Sequence, residues 1–264
     1  MKLGVIGLGN MATAMIGGII SAGLTKPSDI TGSDYSAAQA DKIAKQFGIN
    51  AGCDNLEAVE KAEYLILAVK PQVYENVLTQ ISGAIRTEQV VISIAPGKTL
   101  GYLADKLGED KKIVRLMPNT PALVGEGCTG VCHNANVTDE EFKTVMELLN
   151  SFGKAYEVAE QQMDAVVAIS GSSPAYVFML IEAMADGAVA EGLPRKTAYE
   201  MAAQAVLGSA KMVLETGKHP GELKDMVCSP AGTTIDAVAV LEEAGFRAGI
   251  IDAVRACADK SRSL

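Results

Sequence analysis

The chain has 264 residues, a formal charge of −9 and 48% apolar residues. That length suits one large domain or two modest ones, and that composition suits a packed globular protein. The acidic balance, with seven Tyr, five Phe and no Trp, excludes a basic nucleic-acid stripe and a stacking platform for single strands.

No charge occurs between Lys2 and Lys26, and Ser21-Ala22-Gly23 imitates a signal cleavage site. Glycines, Asn10 and two threonines interrupt that stretch, so neither a leader nor a span is expected. Residues 165–181 are also uncharged but contain Gly171, Ser172, Ser173 and Pro174, and no membrane segment is expected there either.

Apolar runs at 3–6, 30–32, 64–69, 90–94 and 113–117 are continuously hydrophobic, as strands buried on both faces of a parallel sheet should be. Helical patterns lie between them, for example at 36–47 and 100–106. Further runs near 128–132 and 156–158 predict strands at the far edge. The alternation predicts an α/β, doubly wound domain over residues 1–160.

The first strand runs into Gly7-Leu8-Gly9-Asn10-Met11-Ala12, a G-x-G-x-x-A fingerprint that opens an apolar helix. Gly7 permits the tight turn, Gly9 the approach of a pyrophosphate, and Ala12 close packing of helix on strand. A strand before it and a helix after it are the context that makes the pattern a Rossmann-type dinucleotide site. Asp34, 22 residues beyond Ala12, is placed to accept a hydrogen bond from a ribose 2′-hydroxyl, which favours NAD. Ser33 and Ser36 flank it as donors for a 2′-phosphate, so NAD and NADP both stay open on spacing. Ala68-Val69-Lys70-Pro71, Ala95-Pro96-Gly97 and Met117-Pro118-Asn119-Thr120-Pro121 follow later strands and belong on the same binding edge. Asn119 is a candidate donor to the nicotinamide amide.

Five cysteines at irregular spacing form no disulfide framework and are expected as thiols in the cytoplasm. Cys128, Cys132 and His133 do not complete a four-ligand set, so no metal site is expected.

The strand pattern ends near residue 160. Of 38 alanines, 18 lie in residues 1–160 and 20 in the shorter remainder, which predicts an all-helical unit over 161–264. A helix at 175–191 carries only Glu182, Asp186 and Glu191 as charges and is apolar almost all round. It needs enclosure, and a second subunit is expected to supply part of it. Cys228-Ser229-Pro230-Ala231-Gly232-Thr233-Thr234 leads into an amphipathic helix at 235–243. Free amides and hydroxyls at that helix start suit a carboxylate, while capping alone also explains them.

These residues resemble the pyrroline-5-carboxylate reductases over nearly the whole chain. The likeness is carried by GLGNMA at 7–12, LAVKPQ at 67–72, RLMPNTP at 115–121, SGSSPAYVF at 170–178 and PGELKDMVCSPAGTTIDAV at 220–238. It implies reduction of 1-pyrroline-5-carboxylate to L-proline by hydride transfer, the last step of proline synthesis. NADPH is the family's habitual cofactor and NADH is allowed. It also implies a helical C-terminal dimerisation domain in a homodimer or higher homo-oligomer. By the resemblance, Ser229, Gly232, Thr233 and Thr234 hold the substrate carboxylate, and the Thr234 hydroxyl lies near the ring nitrogen. Ser173 and Ala231 stand where glycine is frequent in the family. Two rival readings are a 3-hydroxyacid-type dehydrogenase, which needs an acid–base lysine, and a non-catalytic NAD(P)H sensor. Residues 163–194 contain no Lys, Arg or His, which counts against the first.

Overall fold

The computed structural model describes residues 1–263. The apolar runs pair into one sheet of eight strands: β1 (Leu3–Ile6), β2 (Ile30–Ser33), β3 (Asn50–Gly52), β4 (Tyr64–Leu67), β5 (Val90–Ser93), β6 (Lys112–Met117), β7 (Gly127–His133) and β8 (Gly153–Glu157). Helices alternate with them: α1 (Asn10–Ser21), α2 (Ala37–Phe47), α3 (Asn55–Lys61), α4 (Pro71–Ile81), α5 (Leu100–Leu107) and α6 (Asp139–Asn150). The sheet order is β3-β2-β1-β4-β5-β6-β7-β8. The strands from β1 to β6 are parallel, β7 runs antiparallel to β6, and β8 is parallel to β7. This bears out the doubly wound α/β reading. The chain starts in the middle of the sheet, winds outward on one side through β2 and β3, and returns to β4. The reversal sets a crevice at the carboxyl end of β1, where ligands bind in such folds.

β1, β2 and β5 are buried along their whole length. One apolar layer gathers Met15, Ile16 and Ile19 of α1 with Ile43, Leu148 and Phe152. The other gathers Tyr74 and Leu78 of α4 with Leu65, Leu67, Leu103 and Ile113. Local signals fix the helix ends. Ser36 caps α2 by accepting the Gln39 N–H, and Gly48 stops it in the left-handed conformation. Thr138 and Glu141 form a reciprocal capping box on α6. β3 was not foreseen, and β8 begins three residues before the expected run at 156. β3 pairs with β2 and β8 with β7, and each sets one alanine, Ala51 and Ala155, against the core.

Beyond β8 come α7 (Met163–Val166), a π-helical turn (Val167–Gly171), α8 (Ser173–Ala190), α9 (Arg195–Thr216), α10 (Pro220–Val227), α11 (Thr233–Glu243) and α12 (Phe246–Arg262). The chain forms two compact units, Met1–Ser172 with the tail from Cys257, and Ser173–Ala256. In the first unit the tail is tied back where Ser261 Oγ donates to Asp164 Oδ1 at 2.6 Å and Cys257 Sγ to Ser172 Oγ at 3.2 Å.

The second unit is wholly helical. In α8 and α9 only Ala185, Ala198 and Ala202 are buried, and α10 and α11 bury no residue. Phe178, Met179 and Leu214 are 61%, 68% and 76% exposed. The run Glu160–Ala190 is helical apart from a bend at Ser172, and by length and composition alone it is enough to cross a membrane. The residues expected to break it, Gly171 to Pro174, are accommodated by the π turn and by Pro174 in the first turn of α8.

Candidate active site

The fingerprint is built at the carboxyl end of β1. Gly7 turns the chain with φ +89, and its N–H donates to the Ser33 carbonyl at 2.8 Å. A Cβ on Gly7 would stand 2.7 Å from the Ala68 carbonyl oxygen, so this position needs glycine twice over. Gly9 is the N-cap of α1, and the space where its Cβ would project is open. Among the described residues no side chain caps α1, and its first turn carries no acid. The uncapped amides at Asn10, Met11 and Ala12 therefore fit a pyrophosphate. Ala12 is buried at the helix–sheet contact, and Leu8 is fully buried.

Asp34, the residue after β2, is tied to this loop. Its Oδ2 accepts the Leu8 N–H at 2.9 Å and its Oδ1 accepts the Ser36 N–H at 3.0 Å. Gln39 Nε2 donates to the Leu8 carbonyl at 2.6 Å, so both backbone groups of Leu8 are held from the β2–α2 segment. Ser33 lies differently from expectation. It is fully buried and donates its hydroxyl to Asn55 Oδ1 at 2.7 Å, so its proton is spent inside the fold and is not offered to a phosphate. Gln39 and Asn55 were missed by sequence reasoning. Their partners are 31 and 22 residues away, and no local pattern marks them.

The later loops share this edge. The Ala68 N–H donates to the Ile6 carbonyl at 2.7 Å, which sets Ala68 and Val69 against Gly7. Lys70 is exposed at the N-cap of α4, with Pro71 as its first residue. Ala95 is buried behind Ser93, whose Oγ accepts the Tyr74 hydroxyl at 2.5 Å. Burial pushes the Tyr74 phenol well above its ordinary range. Asn119 is buried, with both ends of its amide engaged: Nδ2 donates to the Ser170 carbonyl at 2.9 Å and Oδ1 accepts the Cys128 N–H at 2.8 Å. It braces the edge, and only its second amide hydrogen is unspent. Burial also raises the Cys128 thiol, and burial with the nearby Glu160 carboxylate pushes Cys132 up to about 11. Both are poor nucleophiles at neutral pH.

The second expected cluster lies in the helical unit. α11 starts at Thr233, two residues earlier than expected, so Thr233 and Thr234 occupy its first turn with Gly232 as N-cap. The turn before it is closed by the Gly232 N–H donating to the Ser229 carbonyl at 3.0 Å. A Cβ on Gly232 would approach Ser229 Oγ to 2.5 Å and the Ser229 carbonyl oxygen to 3.1 Å, so a larger residue there would have to turn the Ser229 hydroxyl aside. Ala231 takes φ +56, in the left-handed region that favours glycine. Ser229 is exposed and Thr234 half-buried. Among the described residues the α11 N-terminus has no side-chain cap, so amides and hydroxyls are presented together as an anion would require.

Known proteins share this organisation. The sequence profile described as "Pyrroline-5-carboxylate reductase dimerisation" matches residues 160–264, and one described as "NADP oxidoreductase coenzyme F420-dependent" matches residues 2–97. The pyrroline-5-carboxylate reductase of Escherichia coli is 52% identical over 263 residues, covering 100% of this chain and 98% of that protein. Among solved structures, the Plasmodium falciparum pyrroline carboxylate reductase with NADP bound superimposes with a TM-score of 0.90 at 35% identity, covering 100% of this chain and 97% of that one. The enzyme from Coxiella burnetii gives 0.93 at 33% identity, covering 99% and 97%. With such likeness along its full length, the chain belongs to the pyrroline-5-carboxylate reductase family.

Proposed function

We propose that this chain reduces the C=N bond of 1-pyrroline-5-carboxylate to give L-proline, with a reduced nicotinamide dinucleotide as hydride donor. The observation that carries the reading is the full-length likeness at 52% identity to a reductase of that name. The residues supply a chemistry consistent with it. Residues 1–160 are the cofactor part: the fingerprint turn at Gly7, Leu8 and Gly9 and the amides of Asn10, Met11 and Ala12 hold the pyrophosphate. Asp34 meets the adenosine ribose. Ala68, Val69, Lys70, Pro71, Ala95 and Asn119 border the nicotinamide end. The resemblance points to NADPH; NADH is the other candidate.

Residues 161–264 are the substrate and dimerisation part. Ser229, Gly232, Thr233 and Thr234 take the substrate carboxylate at the α11 N-terminus, and the Thr234 hydroxyl orients the ring nitrogen. Bound nicotinamide supplies the hydride that the imine carbon accepts. A protonated imine is already electrophilic, so this chain's residues have mainly to fix its position. The absence of Lys, Arg and His from 163 to 194 accords with that and disfavours a 3-hydroxyacid dehydrogenase.

The exposed Phe178, Met179 and Leu214 are covered by a second copy of the chain, in line with the dimerisation profile over 160–264. We place the protein in the cytoplasm as a homodimer or larger homo-oligomer, and assign the apolar Glu160–Ala190 run to that association and not to a membrane. Light scattering on the detergent-free protein tests this, and a monomer would refute it. Activity is tested by following nicotinamide absorbance with pyrroline-5-carboxylate and either NADH or NADPH. Turnover with neither would overturn the reductase reading and favour a cofactor-binding sensor. Thr234→Val is expected to lower kcat/KM, and an unchanged value would remove Thr234 from the mechanism.

A further inference from the structure

Resting on the reductase reading above, we infer that Asp34 selects against a 2′-phosphate and makes NADH the preferred hydride donor of this chain. Asp34 follows the last residue of β2, at the edge where the adenosine ribose lies in folds of this kind. Its carboxylate cannot swing aside without breaking two bonds, from the Leu8 N–H and the Ser36 N–H. Its own N–H donates to the Gly52 carbonyl at 3.0 Å, which pins the backbone as well. A carboxylate offers about four lone-pair sites, so two remain for ribose hydroxyls. Hydroxyls can donate to them; a phosphate dianion in the same place brings only like-charge repulsion.

The surroundings add to this. Asp54, beyond the neighbouring β3, places a second carboxylate at this end of the sheet, its Oδ1 accepting the Leu56 N–H at 2.9 Å. Two donors near this edge are committed to the fold: the Ser33 hydroxyl to Asn55, and one amide hydrogen of Gln39 to the Leu8 carbonyl. The first basic residue after Asp34 in the chain is Lys42, exposed within α2. Ser36 keeps a hydroxyl proton, and its oxygen is occupied by the Gln39 N–H at 3.3 Å.

Calorimetric titration of the full-length protein with ADP-ribose and with its 2′-phosphate separates binding from turnover. ADP-ribose is expected to bind at least about tenfold tighter, and the kcat/KM ratio of NADH to NADPH to lean the same way. Asp34→Ser should shrink both ratios at least about tenfold; should that variant fail to fold, Asp34→Asn keeps the side-chain shape while removing the charge. Equal or tighter binding of the 2′-phosphate by the unmodified protein, or ratios unmoved in a folded variant, would overturn the inference. Turnover with neither cofactor, alongside preferential ADP-ribose binding, would instead overturn the reductase reading and leave the role of Asp34 standing.

Discussion

Asn119 donates its side-chain N–H to the carbonyl of Ser170 at 2.9 Å, joining the loop after β6 to the π-helical turn 51 residues further on. The same amide accepts the Cys128 N–H, so one buried side chain holds three segments together. Asn119→Ala leaves Cys128 N–H and Ser170 C=O without these partners and is expected to cost about 1–3 kcal/mol in urea melts. Asn119→Asp keeps the acceptor for Cys128 but sets a carboxylate oxygen against the Ser170 carbonyl. Its deficit should shrink as pH falls and the carboxyl gains a proton to donate. A deficit independent of pH would show that the Ser170 contact contributes little.

Gly7 and Gly9 should respond in opposite ways to the same change. Gly7→Ala forces a side chain into φ +89 and against the Ala68 carbonyl, which the bond to Ile6 holds in place. The backbone strain alone is worth about 1–2 kcal/mol, so melting should show the loss before any ligand is added. Gly9→Ala meets open space and should leave stability within about 0.5 kcal/mol. Its added methyl occupies the approach of the pyrophosphate, and calorimetric affinity for NADH should fall. Similar melts for the two variants would refute the distinction.

The parts of the site that were legible in the sequence are those where one local conformation needs one residue type. Gly7, Gly9 and Ala12 announce a strand–turn–helix because each solves a steric problem within six residues. Asp34 was legible by its distance from them. Ser33 was misleading, since its buried bond to Asn55 depends on β3 and α3 folding beside β2. β3 itself, Asn50–Gly52, has no apolar run: it lies at the sheet edge, none of its residues is fully buried, and only Ala51 packs on the core. The strands at the apolar runs were found within one or two residues, because burial on both faces favours apolar side chains, although β2 buries Thr31 and Ser33 as well. The start of α11 moved to Thr233 because Gly232, with no helix-breaking signal after it, serves as the N-cap.

Ala231 carries a conformational cost at the candidate carboxylate site. At φ +56 an L-residue is disfavoured by about 1–2 kcal/mol. Ala231→Gly removes that cost and restores about 0.4–1 kcal/mol of unfolded-state entropy in opposition, so the melt should move little or slightly upward. Ala231→Val places a β-branched residue in the left-handed region and should displace the turn that closes on Ser229. The expected signature is a raised KM for the imine with a smaller change in cofactor affinity. A Val variant with normal KM would show that the turn does not hold substrate.

Glu141 should govern part of the acid limb of stability. Its Oε1 accepts from Lys112 Nζ at 2.5 Å, and its Oε2 accepts the Thr138 N–H at 3.0 Å and hydroxyl at 2.9 Å. Burial alone would raise this carboxyl, but Lys112 and the Thr138 donors outweigh it and hold the group below the ordinary glutamate range. A depressed folded value means that the stabilisation is fully present above the unfolded value of about 4.3 and fades as pH falls through the folded one. Glu141→Gln removes the charge facing Lys112 while keeping an acceptor for the α6 cap. The variant should be less stable by about 1 kcal/mol at neutral pH, and the gap to the unmodified protein should close below about pH 4. Paired urea melts across that range check the sign: a gap that widens in acid would mean that Glu141 is not held below its unfolded value.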